Sequence, residues 1–492
     1  MGKLIFQIRP GRNVSAVVLC SLLLACSGGG GSDGPSTLSP AAVNVPIGGR
    51  TQFTLSPAQA ASWSVNSVNG GNDTVGRISL IGGYTAPFVI PSASTAVPTG
   101  PDPTVLIAAN VASNTATVTL VRRFIDDGAV HVCPSLPPTA CVPSAVIAPD
   151  LNADGFTDLV TANAGNGTIS VVLRNGPSSF YDGVESPLGT SPTAEPQALV
   201  AGLFDGNQSL DLVIADADSN SPAVWMRTGV GNGTFPSEQS VGLLPGSRPL
   251  SMGAGRFDND SIRDVVVTDF ANDQMTILFG DPGGGFLAPA PKALAANALP
   301  LGVAVADFDN DTFDDIAVAN NGTDTIAVFL AVGDGTFSSE QTYAVAGSPS
   351  AIVAADLNLD GFPDLAVTTI SGGLVLIINK GTPFDPSPET FRPPALTTYP
   401  TGAGPVAVAA GDINQDQFAD LVIVNKVDET LVVYLGHGDG TLTVSETYAV
   451  GMLPLSVAVG DFNGDTWPDL AVANSGDDTV TILRNRGPAA TP

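Results

Sequence analysis

An aspartate-rich loop with the spacing D-x-[DN]-x-D-x-x-x-D recurs along the chain in one frame, and its side chains suit a hard cation. Complete copies are Asp150, Asn152, Asp154 and Asp158; Asp307, Asp309, Asp311 and Asp315; and Asp356, Asn358, Asp360 and Asp364. Two more are Asp412, Asn414, Asp416 and Asp420, and Asp461, Asn463, Asp465 and Asp469. Oxygen groups at positions 1, 3 and 5 converge when the backbone curls around one point. Position 7 adds a carbonyl and position 9 a last carboxylate, which approaches the six to eight oxygens that calcium takes. Calcium is therefore the expected cofactor. Gly155 and Gly361 stand at position 6, where a tight curl calls for positive φ. An EF-hand needs a glutamate at position 12 and flanking helices. Here Asp420-Leu-Val-Ile-Val runs from the ninth position straight into a strand, so that reading fails. One such match would be an ordinary acidic turn; five in register are not.

Two further copies begin at Leu203 and Arg256 and lack the first carboxylate, keeping Asp205, Asn207, Asp211 and Asp258, Asp260, Asp264. They are not expected to bind calcium, and the Arg256 guanidinium is positioned to stand in for a metal charge. A second marker fixes the frame: Pro143, Pro196, Pro249, Pro300, Pro349, Pro405 and Pro454 each stand seven residues before position 1. Self-similarity at about fifty residues means a repeat architecture.

The elements that must position these loops are short strands. Val303-Ala-Val-Ala precedes a loop, Asp315-Ile-Ala-Val-Ala follows it, and Ile326-Ala-Val-Phe-Leu comes after a polar turn. Gly-rich turns such as Gly231-Asn-Gly-Thr-Phe235 and Gly333-Asp-Gly-Thr-Phe337 then carry strong hairpin signals into a weaker fourth strand. Four strands in each of seven units describe an all-β, seven-bladed propeller. The last unit stops after its third strand, at Asn485, and Phe124 to Val132 has the look of the missing piece. That stretch would close the ring and remove a sheet edge. An open solenoid with capped ends is the competing arrangement.

The Pro marker, the Asp loop and the Asp-Leu-Val-Val-like strand after it resemble the FG-GAP (VCBS-type) repeats of integrin α-subunit propellers and many bacterial surface proteins. The resemblance covers about Phe124 to the end. It implies a propeller over residues 123–492 with calcium in the loops between first and second strands. It departs from the pattern at Leu203 and Arg256.

At the front, Lys3, Arg9 and Arg12 precede an apolar run from Val14 to Ala25, too short to span a bilayer and laid out as a signal peptide over residues 1–25. Leu23-Leu24-Ala25-Cys26 resembles a bacterial lipobox, which implies lipid on Cys26; a plain cleaved signal with an incidental cysteine is the alternative. Residues 26–36 form a Gly/Ser tether. Residues 37–122 read as short alternating strands at sandwich spacing. Trp63-Ser-Val and Gly82-Gly-Tyr-Thr-Ala-Pro87 there resemble a bacterial immunoglobulin-like domain, with Trp63 as its core. Cys133 and Cys141 remain as an even pair in an exported protein. A disulfide closing their Pro-rich loop would contribute roughly 2–3 kcal/mol, although His131 could instead join the two thiols at a metal.

The formal net charge is −29, and 22 of the 47 acidic residues lie at positions 1 to 9 of the seven loops. Such a surface repels nucleic acid and anionic lipid, so lipid on Cys26 is the expected hold on a membrane. Material for catalysis is poor. His131 and His437 are the only histidines, and neither lies in an H-E-x-x-H, C-x-x-C or Ser-His setting. Pairs of carboxylates suited to glycoside cleavage are too easily found here to mean anything. The expectation is a non-enzymatic, calcium-stabilised recognition or adhesion scaffold, lipid-anchored at the outer membrane or cell surface, binding a protein or glycan. Alternatives are a structural envelope lipoprotein and an accessory carbohydrate-binding subunit of a polysaccharide-degrading system. The ligand is expected on the face opposite the calcium loops, among the varied second-to-third turns. Alanine blocks at Asp269–Asp273 and Asp428–Glu429 are expected to abolish binding and spare stability.

Overall fold

The computed structural model describes residues 124–132, 141–174, 176, 183–371, 373–381, 390–392 and 398–487. The expected signal segment, tether and sandwich of residues 1–122, the lipid site at Cys26, and Cys133 lie outside them. Seven antiparallel sheets of four strands form the blades; in six of them the strands follow sequence order, and the seventh combines three strands of the last repeat with one from the start of the propeller. In the fourth blade the strands are Pro300–Ala306, Asp315–Asn320, Thr325–Phe329 and Gln341–Ala344. First strands pack on one another around the axis, as Pro300–Ala306 does on Pro349–Ala355. Small residues make that approach possible: a Cβ on Gly253 would stand 2.5 Å from Val305 Cγ2 in the next blade.

Second strands such as Asp315–Asn320 and Asp420–Asn425 are buried at every position, because a neighbouring blade covers each face. A continuous apolar run rather than an alternating one is the sequence mark of that burial. The core is accordingly divided among the seven blade interfaces, each with its own apolar cluster. Each marker proline opens a first strand and sits beside a register shift, as between Pro300 and Gly302 or Pro454 and Ser456. Lacking an N–H, proline suits a bulged strand start, where the ladder asks for no donor.

Closure follows the expected route. Phe124–His131 pairs with Thr479–Asn485 as the outermost strand of the last blade, giving that sheet its fourth strand. Val132, Val146, Leu159, Phe462 and Val480 share one buried cluster, so the last blade packs on the first. The open solenoid is thereby excluded. Cys141 is disulfide-bonded, which removes it as a thiolate ligand for a metal. No helix among the described residues is long and apolar enough to cross a membrane.

Candidate metal centres in the blade loops

Every complete loop is curled by the same hydrogen bonds from backbone to carboxylate. In the fourth blade, Asp311 N–H donates to Asp307 Oδ1 (3.1 Å) and Thr312 N–H to Asp307 Oδ2 (2.8 Å). Asp311 N–H is shared with Asp309 Oδ1 (3.2 Å), and Phe313 N–H donates to Asp311 Oδ1 (2.9 Å). Asp150, Asp356, Asp412 and Asp461 likewise accept from the residues four and five positions on. The side-chain oxygens of positions 1, 3 and 5 thus each hold backbone N–H groups of their own loop and fix its curl.

Asp307, Asp309 and Asp315 each offer an oxygen within 4.8 Å of the others. Among the described residues no other such carboxylate triad forms; Asn152, Asn358, Asn414 and Asn463 occupy position 3 in the other complete copies. An asparagine there still presents an amide oxygen. The donor set is all hard oxygen, with two or three carboxylates per loop besides the ninth, which fits calcium and does not fit a soft metal. Burial pushes Asp315 up to about 8, and the charges of Asp309 and Asp307 push the same way against two backbone hydrogen bonds. Asp469, in the same environment, is pushed up to about 7.

Position 9 does more than the sequence suggested. Asp315 accepts N–H from Phe308 (2.7 Å) and from Ala331 at the end of the third strand (2.8 Å). Asp158, Asp211, Asp264, Asp364, Asp420 and Asp469 make the same two bonds, and all are fully buried. This aspartate therefore staples the loop to its own blade whether or not the loop keeps a first carboxylate. Its presence in all seven copies, including those at Leu203 and Arg256, was the signal. Position 2 was also missed: Leu151, Phe204, Phe257, Phe308, Leu357, Ile413 and Phe462 are wedged into successive blade interfaces, each at most 3 % exposed. Phe257 and Phe308 meet Phe337 and Phe391 of the following blades edge-on, at 5.5 and 5.2 Å.

The loops at Leu203 and Arg256 keep the local curl through Asn207 N–H to Asp205 (2.9 Å) and Asp260 N–H to Asp258 (3.0 Å). Arg256 does not stand in for a metal in its own loop. Its Nη2 donates to Thr312 O of the next blade (3.0 Å), and its guanidinium lies 5.6 Å from the Phe313 ring centre. An outward-turned side chain at position 1 reaches the neighbour before it reaches Asp258 and Asp260.

Position 6 takes positive φ in all five complete loops, but not always as glycine: Thr312 has φ 81°, Gln417 73° and Thr466 73°. A β-branched residue there is strained, by roughly 1–2 kcal/mol, against a glycine entropy cost of about 0.5–1 kcal/mol. Thr312→Gly is therefore expected to raise stability by up to about 1 kcal/mol in a urea melt, and any clear loss would contradict the strain. The loops and the Gly-rich turns share a face, since a Cβ on Gly333 would stand 2.2 Å from Phe313.

The opposite face departs from expectation. Asp269 is 2 % exposed and accepts from Ser247 Oγ (2.7 Å), Arg248 N–H (2.9 Å) and Gln274 (3.1 Å). Asp273 holds Asn297 N–H (2.8 Å) and Leu299 N–H (3.0 Å), and Asp428 holds Ala403 N–H (2.7 Å). These acids fasten the connections between blades, so alanine blocks at Asp269–Asp273 and Asp428–Glu429 would cost stability. His437 Nε2 is hydrogen-bonded with Thr443 Oγ1 (2.8 Å).

Virginiamycin B lyase from Staphylococcus aureus has a similar chain path at 13% identity, covering 72% of this chain and 98% of its own with a TM-score of 0.50. An Agrocybe aegerita lectin recognising non-reducing terminal N-acetylglucosamine matches at 16% identity, covering 76% of this chain and 94% of its own, with a TM-score of 0.46. At such identities the likeness concerns the fold alone. No curated protein sequence matches. The FG-GAP-like repeat matches at residues 204–267, 256–318, 307–367, 356–423 and 412–472, which together span more than half of the chain. Each match runs from one Asp loop through the strand after the next, the unit whose hydrogen bonds are described above, and the chain belongs to the FG-GAP-like repeat family.

Proposed function

We propose that the protein is a calcium-stabilised recognition scaffold, lipid-anchored through Cys26 at the bacterial outer membrane or cell surface, which binds a protein or glycan and is not an enzyme. The observation that carries this reading is the division of labour between the two faces. One face is committed to a single loop chemistry repeated around the rim. The other carries turns that differ from blade to blade; Ile370, Val427 and Met452 are exposed there, and because Val332 and Leu359 are as exposed on the loop face, it is the variety of the turns and not apolar exposure that sets this face apart. Varied turns on a rigid frame are what a binding surface is built from.

The chain path supports the same orientation. Phe124 pairs with Asn485, whose N–H donates to Asp469, so the residues before Phe124 join the propeller at the calcium-loop rim. A tether running to Cys26 would leave the varied face pointing away from the membrane. Calcium at the rim would neutralise clustered carboxylates and hold each loop in its curl; Asp150, Asp307, Asp356, Asp412, Asp461 and their partners at positions 3, 5 and 9 would hold it.

Anchoring is tested by labelling with a fatty-acid analogue: Cys26→Ser is expected to release an unlabelled protein, and label that persists in the variant would refute it. Recognition is tested on glycan arrays and on envelope proteins. The substitutions Ile370→Asp and Val427→Asp touch exposed side chains and are expected to weaken binding at least tenfold without moving the melting temperature. Val332→Asp, exposed beside the Gly-rich turn on the calcium face, is expected to leave binding intact. Binding lost with Val332→Asp and kept with the other two would move the site to the calcium face.

A further inference from the structure

We infer that the five complete loops form one linked arc and take up calcium cooperatively, with Asn310 and Gln415 as the residues that couple them. This rests on the calcium reading above. The complete loops belong to the fourth, fifth, sixth, seventh and first blades, and because Phe124–His131 closes the ring the seventh abuts the first. The five therefore stand side by side without interruption, and the acid-poor loops at Leu203 and Arg256 fill the remaining gap.

In the fourth to seventh blades, position 4 lies against the next blade of the arc. Asn310 Nδ2 donates to Gly361 O (3.3 Å), joining the fourth blade to the fifth. Gln415 Nε2 donates to Thr466 O (2.7 Å), joining the sixth to the seventh. Leu359 and Phe418 both meet the position a Cβ on Gly438 would take, and a Cβ on Gly464 would stand 2.8 Å from Phe156 of the first blade. Both acceptor carbonyls belong to position 6. The same residue donates its own N–H to the first carboxylate of its loop, at 2.9 Å for Gly361 and Asp356 and 2.7 Å for Thr466 and Asp461.

Residue 6 is thus held on one side by its own loop's position-1 carboxylate and on the other by its neighbour's side chain. A loop whose carboxylates are fixed by a cation holds residue 6 in place. That gives the preceding loop an ordered partner and lowers the entropy cost of ordering it in turn. The pairs joined by hydrogen bonds, fourth with fifth and sixth with seventh, are coupled most strongly. Neither Asn310 nor Gln415 occupies a ligand position, so removing either amide leaves every donor to the cation in place.

The test is a calorimetric titration of the full chain with calcium after chelation, together with elemental analysis for stoichiometry. The wild type is expected to bind five ions with a Hill coefficient above about 1.5. The double variant Asn310→Ala, Gln415→Ala is expected to bind five ions still, with the coefficient falling to about 1. A melt in EDTA checks that the variant is folded. If it is not, Gln415→Met keeps the side-chain length, removes the amide and should lower the coefficient on its own. Five ions with independent binding in the wild type, or an unchanged coefficient in a folded variant, overturn the coupling and leave the calcium sites standing. No calcium uptake at all overturns both.

Discussion

Asp264→Ala is expected to destabilise the propeller although its loop lacks a first carboxylate. The carboxyl accepts Phe257 N–H at 2.7 Å and Gly280 N–H at 2.9 Å in a fully buried setting. Truncation would leave both donors without a partner, at about 1–3 kcal/mol each. Burial also holds Asp264 up to about 6, so at neutral pH its ionised form already carries a desolvation cost that the variant would shed. The net loss should therefore fall near the low end, about 2–3 kcal/mol. Urea melts measure it. Asp258→Ala, in the same loop, removes a partly exposed acceptor of one N–H and should cost under about 1 kcal/mol. Equal effects from the two would mean that position 9 is an ordinary loop acid and not a staple.

The repeat frame, the strand order and the ring closure were legible in the sequence because each rests on local chemistry written seven times. Proline marks the bulged strand start, Asp-Gly and Asn-Gly mark the hairpins, and an unmatched strand at each end of the array marks the closure. What was not legible was which partner each side chain would choose. Arg256 reads as a cation placed at a vacated ligand position, yet it reaches Thr312 O in the next blade. Spacing along the chain does not say which blade lies nearer. Asp273 and Asp428 read as variable turn acids free to meet a ligand, yet each caps backbone N–H groups of a connection that precedes the following strand. Their partners lie 24 to 26 residues away, beyond any local pattern. The candidate metal residues divide similarly. Spacing along the chain points to positions 1, 3 and 5, whereas the carboxylates that come together in the fourth blade are positions 1, 3 and 9, Asp307, Asp309 and Asp315, and position 9 also staples the loop to its blade.

Removal of calcium is expected to lower the melting temperature by on the order of 10 °C. At about 1 mM calcium, and with a Kd near ~0.1 mM typical of extracellular sites, each site contributes roughly 1.4 kcal/mol. Five sites then give about 7 kcal/mol, which an unfolding entropy near 2 cal/mol/K per residue converts to that shift for a propeller of this size. The sign follows from the loops themselves. Each brings several carboxylates together, and Asp309 is already pushed up by burial and by the charges of Asp311 and Asp307. A bound cation relieves repulsion that the unfolded chain does not suffer. Asp311→Ala should remove one site, lowering the calcium-dependent part of the shift by about a fifth if the sites are independent and by more if they are coupled. Asp205→Ala, in a loop without a first carboxylate, should leave that part untouched. A melting curve that EDTA does not move, together with no calcium by elemental analysis, would show that the loops are curled by their backbone hydrogen bonds alone.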